Sequence, residues 1–376
     1  MAGVYIHIPF CRRACSYCDF YFSVNKRHEA DFFNALRTEA ALRRREMESE
    51  RIDTIYFGGG TPSYATPGYL EKLLDDIHRI TTTTPGMEIT LEANPDDISL
   101  ENLKQWKNSG INRLSIGVQS FDERFLKILN RSHGARRAEE ALENALTAGF
   151  ENITLDLIYG IPGMTMKDWE KQIDKFLEWN LPHLSAYALT VEPKTLLDFQ
   201  VKKGKIHMPP DEIFEKQFFL MRQKLIDAGY RHYEISNFAR PGFESRHNTS
   251  YWESKPYTGL GPSAHSYDGK NLRRRNVANL HRYLQGISGK TGWYETEILN
   301  NTDAYNEWIM TRLRTDKGIN EIDIKKYFTE HYSFFRKTAD KLCREGQLIC
   351  KNGRYLIAPE ALFRADGIIE TFFVVA

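Results

Sequence analysis

Cys11, Cys15 and Cys18 stand in the spacing Cys-x3-Cys-x2-Cys, placing three of the chain's five cysteines within eight residues. Three thiolates on one short loop can cap three irons of a cubane [4Fe–4S] cluster and leave the fourth iron open to an outside ligand. Zinc is the rival metal, but a structural zinc takes four ligands, usually from Cys-x2-Cys pairs. None of the five cysteines begins a Cys-x-x-Cys-His run, which excludes c-type haem attachment. Cys343 and Cys350 lie among apolar residues near the other end of the chain and read as small core residues.

The remaining composition is that of a folded soluble protein. The chain has 376 residues, 41% of them hydrophobic and 12% aromatic, and a formal net charge of +1. That balance excludes a nucleic-acid surface as the main role. The runs Arg43–Arg45 and Arg273–Arg275 are expected to be solvated faces. No apolar run reaches the roughly 20 residues of a membrane span. Val4–Phe10 is too short for the apolar stretch of a signal peptide. A cytoplasmic location follows, where thiols stay reduced and clustered cysteines read as metal ligands.

These residues need a frame. Apolar runs at Val4–Ile8, Thr54–Phe57, Glu88–Glu92, Arg113–Val118, Ile153–Ile158 and Leu184–Leu189 read as strands. Between them, Glu29–Met47, Gly68–Ile80, Leu100–Lys107, Arg136–Ala148 and Met166–Trp179 have helical periodicity. Strand–helix alternation implies right-handed crossovers and a parallel α/β sheet, with ligands at the carboxyl ends of the strands. Residues 240–280 have weak periodicity and read as irregular. From Thr302 the pattern is three helices and a hairpin turning at Asn352-Gly353, the arrangement of a small winged-helix-like α+β domain. Its mixed acids and bases suit packing or a protein partner rather than DNA.

Polar residues recur at the predicted strand ends. Gly58-Gly59-Gly60 follows the second strand, where glycines let the backbone approach a ligand. Glu92 ends the third strand, Gln119 ends the fourth, Arg131 follows on a loop, and Asp156 lies in the fifth. His7, on the first strand, reads equally as a donor to the cluster or as a core histidine.

Together with the cysteines, the segments Tyr5-Ile-His-Ile-Pro-Phe-Cys11, Gly58-Gly-Gly-Thr-Pro62, Glu92-Ala-Asn-Pro95, Ser115-Ile-Gly-Val-Gln119 and Asp156-Leu-Ile-Tyr-Gly160 resemble the radical S-adenosylmethionine enzymes. The resemblance covers nearly the whole chain and is to the oxygen-independent coproporphyrinogen III oxidase branch. It implies a partial (β/α)6 radical SAM barrel with a C-terminal winged-helix-like domain. It also implies that Tyr5, Gly59, Gly60, Thr61, Glu92, Gln119, Arg131 and Asp156 contact S-adenosylmethionine, with Tyr17 and Phe20 flanking the cluster and adenine. In that superfamily a reduced cluster passes one electron to the sulfonium and a 5′-deoxyadenosyl radical results. The protein orients the cofactor and excludes water.

Two departures from the oxidase pattern redirect the expectation. The oxidases carry a fourth cysteine two residues after the third, where this chain has Phe20, and a longer stretch before the first, whereas here Cys11 follows Met1 closely. Both features are similar to the HemW-type heme chaperones. Arg246-His247-Asn248-Thr249-Ser250-Tyr251-Trp252 resembles a motif of that group. The resemblance implies heme binding near His247, on a loop, with Tyr251 and Trp252 offering flat faces to the macrocycle. The expected organisation is a core at 1–235, a linker and heme-binding region at 236–300, and the winged-helix-like domain at 301–376. Expected partners are heme and a recipient respiratory hemoprotein, with the membrane as one location for the recipient and a homodimer as one assembly. An oxidative decarboxylase and a radical SAM enzyme with another substrate are the competing functions.

Overall fold

Six strands, β1 (Ala2–Ile8), β2 (Ile52–Gly59), β3 (Thr83–Ala93), β4 (Arg113–Gln119), β5 (Asn152–Tyr159) and β6 (His183–Ala188), pair parallel in chain order. The structure is a computed structural model and describes residues 2–48 and 51–375. Helices α1 (Glu29–Leu42), α2 (Arg44–Glu48), α3 (Tyr69–Ile80), α4 (Leu100–Asn108), α5 (Glu123–Ile128), α6 (Ala135–Thr147) and α7 (Met166–Glu178) form the crossovers. Then come α8 (Leu196–Lys202) and α9 (Asp211–Asp227).

The two faces of this sheet differ in chemistry. Val4, Ile6, Ile55, Phe57, Leu91, Leu114, Ile116, Leu155 and Leu157 on one face are fully buried. Each contributes roughly 1.5–3 kcal/mol by leaving water. The alternate residues are polar and meet one another: Tyr56 donates to Glu92 (2.9 Å), Arg113 to Asn152 (2.6 Å) and Ser115 to Asp156 (3.2 Å). Parallel sheets covered on both faces show unbroken apolar runs. Here the period-two alternation marks one face under helices and the other around a polar interior.

Residues 240–280 are more regular than expected. They carry α10 (Arg246–Trp252) and the strands β9 (Tyr257–Leu260), β10 (His265–Tyr267) and β11 (Leu272–Asn276), which follow the hairpin β7 (Arg231–Glu234) and β8 (Asn237–Ala239). β9 pairs parallel with β1, and β10, β11 and β12 (Tyr294–Ile298) extend that edge antiparallel. Helix α11 (Leu280–Gly289) packs on α1. Residues 236–300, expected to link two domains, thus join the core sheet. Strands of three to five residues leave too short a pattern to read.

The basic runs also differ from expectation. Arg43 is buried and donates to the Gly259 carbonyl (2.5 Å), Ser266 (2.9 Å) and Glu46 (2.6 Å). Arg273 pairs with Glu307, Arg274 with Glu46 and Arg275 with Glu295.

The C-terminal part has an apolar core of its own, which includes Tyr305, Ile309, Phe335, Leu342 and Tyr355. Helices α12 (Asn301–Leu313), α13 (Glu321–Tyr327) and α14 (Tyr332–Arg344) pack with a sheet of β13 (Ile319–Asn320), β14 (Leu348–Lys351) and β15 (Arg354–Ile357) in the order β13-β15-β14. Asn352 (φ 52°) and Gly353 (φ 73°) make the expected turn in the left-handed region. Cys343 packs against this core, but Cys350 is exposed, contrary to the expectation of a core residue. A further helix, α15 (Ala365–Glu370), was not foreseen.

Candidate cluster and cofactor site

The cysteine loop leaves β1 at its carboxyl end and is tied down along its length. Cys11 N–H donates to the Ser23 carbonyl (3.0 Å) and Ser16 N–H to the Leu129 carbonyl (3.0 Å). Asn130 donates to the Ala14 carbonyl (2.7 Å), and Arg12 donates twice to Asp97 (2.9 and 2.6 Å). A loop fixed by β3, α5 and its own base can hold three thiols in place before any ligand arrives.

Cys11, Cys15 and Cys18 line a cavity of about 870 Å³ at the carboxyl ends of the strands. Gly59, Gly60, Thr61, Glu92, Gln119, Arg131 and Asp156 line it too, with Tyr17 and Phe20 at the cysteine loop. Nine positions implied by the resemblance are thereby brought to one place with the three cysteines. Tyr5 is different. It lies one layer below, its ring on Tyr56 (centroids 6.1 Å apart) and its hydroxyl 3.3 Å from His7 Nδ1. His7 also hydrogen-bonds the Tyr21 carbonyl through Nε2 (2.8 Å), which makes it a satisfied internal residue.

The charges in this cavity are arranged by sign. Arg131 donates to Cys15 Sγ (3.2 Å) and to the Gly117 carbonyl (2.7 Å), and its Nε is buried without a partner. Thr61 donates to Cys11 Sγ (3.5 Å). Burial pushes the Cys11 and Cys18 thiols up to about 11. Opposite them, Glu92 accepts from Tyr56 and from Gly59 N–H (3.2 Å). Desolvation, and for Glu92 the nearby Asp156 charge, raises both carboxyls to about 7. Two such carboxyls facing a cavity favour a cationic occupant. Gln119 holds φ at 64°, a left-handed value for a non-glycine residue at a strand end. Strain of this kind clusters at ligand sites.

Among the described residues, no three His, Cys, Asp or Glu side chains gather closely enough to hold a single metal ion. The thiols instead line the larger cavity described above. Gly60 shapes that space, since an added Cβ would stand 2.8 Å from the Pro9 carbonyl carbon, 2.9 Å from the Phe10 oxygen and 3.0 Å from Cys11 Sγ. Gly60→Ala is therefore expected to cost roughly 2 kcal/mol and to lower iron uptake, measured by thermal unfolding and iron content. Unchanged values in both would remove the steric reading.

Several residues at this cavity escaped sequence reading. Tyr187 lies in β6, Leu189 and Glu192 follow it, and Leu362, Phe363 and Asp366 come from the last stretch of the chain. Asp366 is held by Arg314, which also lines the cavity. The alternation of β6 could have shown Tyr187, but no local signal marks the C-terminal residues.

His247 is placed apart from the cysteines and not on a loop. It sits in the first turn of α10, whose N–H groups at Arg246 and His247 donate to Glu88 (3.2 and 3.1 Å). Its Nδ1 is 2.7 Å from Thr54 Oγ1 and its Nε2 is 2.8 Å from Tyr251 hydroxyl. Its ring is buried and lies 5.0 Å from that of Tyr56, and burial pushes its pKa down to about 3. Helix α10 closes the amino-terminal end of the strands, opposite the cysteine loop.

The comparisons with known proteins agree with this arrangement. The radical SAM superfamily matches residues 5–176. The chain is 38% identical to the Bacillus subtilis heme chaperone HemW, over 88% of this chain and 87% of that protein. It is 32% identical to the Escherichia coli heme chaperone HemW, over 98% and 97%. The solved structure of Escherichia coli coproporphyrinogen III oxidase superposes with a TM-score of 0.85 at 23% identity, covering 99% of this chain and 89% of that one. That likeness supports the fold, a radical SAM core with a large parallel sheet and a smaller antiparallel one. Among the described residues, no helix is long and apolar enough to cross a membrane. Similarity at this level over most of both chains shows that the protein belongs to the HemW family within the radical SAM superfamily.

Proposed function

We propose that the chain is a cytoplasmic heme chaperone that carries a [4Fe–4S] cluster and S-adenosylmethionine, binds heme and delivers it to respiratory hemoproteins at the membrane. The observation favouring this over the oxidase reading is Phe20. It stands where the oxidase branch has its fourth cysteine, at the cavity rim, and is 67% exposed.

The residues fit the implied cofactors. Cys11, Cys15 and Cys18 would hold the cluster, in a cavity where Gly60 leaves room beside a thiol and Arg131 Nε awaits an acceptor. When bound, the pair supplies one-electron cleavage of a sulfonium carbon–sulfur bond. The chain's own residues do the rest. Glu92 and Asp156 would face the cationic part of S-adenosylmethionine, and Arg131 its carboxylate. Gly59, Gly60 and Thr61 would offer backbone groups and a hydroxyl to its amino-acid end. Gln119, Tyr17 and Phe20 would pack round its remainder, with Tyr5 supporting the floor through Tyr56.

His247 is the residue of α10 for the heme iron. Both ring nitrogens are engaged, so ligation requires release of the Thr54 or Tyr251 bond. His247→Ala is expected to shift the Soret band of bound heme, as loss of an axial ligand does. An unchanged spectrum would remove His247 from the iron. Homodimer formation completes the reading.

The competing decarboxylase is tested by supplying the reconstituted protein with coproporphyrinogen III, S-adenosylmethionine and a reductant. The chaperone reading expects no protoporphyrinogen and stable retention of heme. Efficient conversion would reverse the ranking. A radical enzyme acting elsewhere would form 5′-deoxyadenosine without engaging either tetrapyrrole.

A further inference from the structure

A second cavity, of about 590 Å³, lies at the amino-terminal end of the strands, between the core and the C-terminal domain. Ala2 and Thr54 begin its wall from the core, α10 contributes Arg246, Thr249 and Trp252, and the C-terminal part contributes Trp308, Arg312 and Arg354. Ligands favour such boundaries between domains.

Its wall carries six basic and five acidic side chains, and most of them pair with one another. Glu253 is taken by Lys255 (2.7 Å) and Lys317 (2.5 Å), and Glu244 and Asp316 by Arg231 (3.2 and 2.5 Å). Arg246 comes no closer than 3.9 Å to Asp53. Arg312 donates to the Trp252 and Glu253 carbonyls, and Arg354 to the Lys317 carbonyl (2.6 Å). Among the described residues, neither Arg312 nor Arg354 makes an ion pair. Asp323, also on the wall, and Glu253 act on the Arg312 charge without pairing with it, and a guanidinium whose hydrogen bonds go only to carbonyls keeps donors for a carboxylate or phosphate. Trp252 Nε1 and Thr249 Oγ1 are buried there without partners, and so is the acceptor Asp53 Oδ1. Trp252 and Trp308, each with a guanidinium over its ring (Arg314 at 5.9 Å, Arg312 at 5.4 Å), add large apolar surface of the kind that packs against a flat ring.

We infer that this cavity binds a planar ligand bearing carboxylates, heme by its propionates, with Arg312 and Arg354 as the residues that read those carboxylates. The inference rests on the heme-chaperone reading and assigns it a place. It separates two tasks at opposite ends of the barrel: the thiols at one end, the heme at the other. No histidine, cysteine or methionine lines the cavity. Propionate contacts and ring packing therefore dominate affinity, with His247 one layer behind Thr54.

The test is heme titration of the anaerobically reconstituted full chain, with the dimethyl ester of heme as second probe. Arg354→Met, and Arg354→Met combined with Arg312→Met, are expected to weaken heme binding about tenfold and further, while iron and sulfide content stay at the parent level. The ester is expected to bind the unchanged chain at least about tenfold more weakly than heme. Arg312 also joins α12 to α10, so the single Arg354 variant and the ester keep the test sound if the double variant folds poorly. Equal affinity of parent and Arg354→Met for heme, or equal affinity for heme and its ester, overturns this site and leaves the chaperone reading standing. No heme uptake by the parent chain overturns both.

Discussion

Chains with serine at Cys11, Cys15 or Cys18 are expected to fold and yet to bind almost no iron or sulfide, against about four irons per parent chain. The loop supplies three ligands and no other thiol can replace a missing one, since Cys343 packs against the separate C-terminal core and Cys350 is exposed on that same part of the chain. Folding without the cluster should change little. With their pKa values near 11, the Cys11 and Cys18 thiols are neutral at pH 7 when no metal is bound, so serine replaces one small neutral group by another. A difference within about 1 kcal/mol is expected by chemical unfolding of the metal-free chains. Cluster assembly must displace those thiol protons, so iron uptake should be faster and more complete at pH 8 than at pH 6. Parent-like iron content in any of the three variants would remove that cysteine from the ligand set.

Glu92→Gln and Asp156→Asn are expected to stabilise the ligand-free chain while emptying it of S-adenosylmethionine. Both carboxyls are held near 7 in the fold, against 4.5 for an ordinary glutamate and 3.8 for an ordinary aspartate. For an acid raised on folding, the protonated form is the favoured one. Its contribution is complete below the ordinary value and is lost as pH climbs toward 7. Stability of the parent should therefore fall between about pH 4 and pH 7 and level off above, by up to about 3 kcal/mol for Glu92 and about 4 kcal/mol for Asp156. The Asp156 charge raises Glu92, so their effects are not additive. Each amide variant should flatten that slope and gain most of the difference at pH 8, measured by urea unfolding at pH 5 and 8. The same charge removal should weaken S-adenosylmethionine binding at least about tenfold. A parent-like slope with parent-like cofactor affinity would show that these carboxyls do not serve the cation.

The gain from removing a charge and its cost to ligand binding explain why such residues were legible from sequence. Polar groups at successive strand ends, next to apolar runs, have no packing reason to be there. Glu92, Gln119 and Asp156 could be placed by strand order alone, and the cysteines by local spacing. Tyr5 was harder, because only the parity of β1 tells that it faces the interior one layer below the cavity. His247 was read as a loop residue because α10 has only seven residues; Ser245 caps it locally, and its first N–H groups also use Glu88, 159 positions away from His247. Arg43, buried inside a run of three arginines, finds its acceptors at Gly259 and Ser266, which no local pattern connects to it. Leu362, Phe363 and Asp366 reach the cluster cavity only because the C-terminal part folds back on the core.

The most direct test of the central claim is the electron paramagnetic resonance spectrum of the anaerobically reconstituted, reduced chain, recorded with and without S-adenosylmethionine. A cluster with one iron free of protein ligands predicts a [4Fe–4S] signal whose g-values and line shape change when the cofactor is added. A signal indifferent to the cofactor, or a chain that fills with zinc in preference to iron, would contradict it.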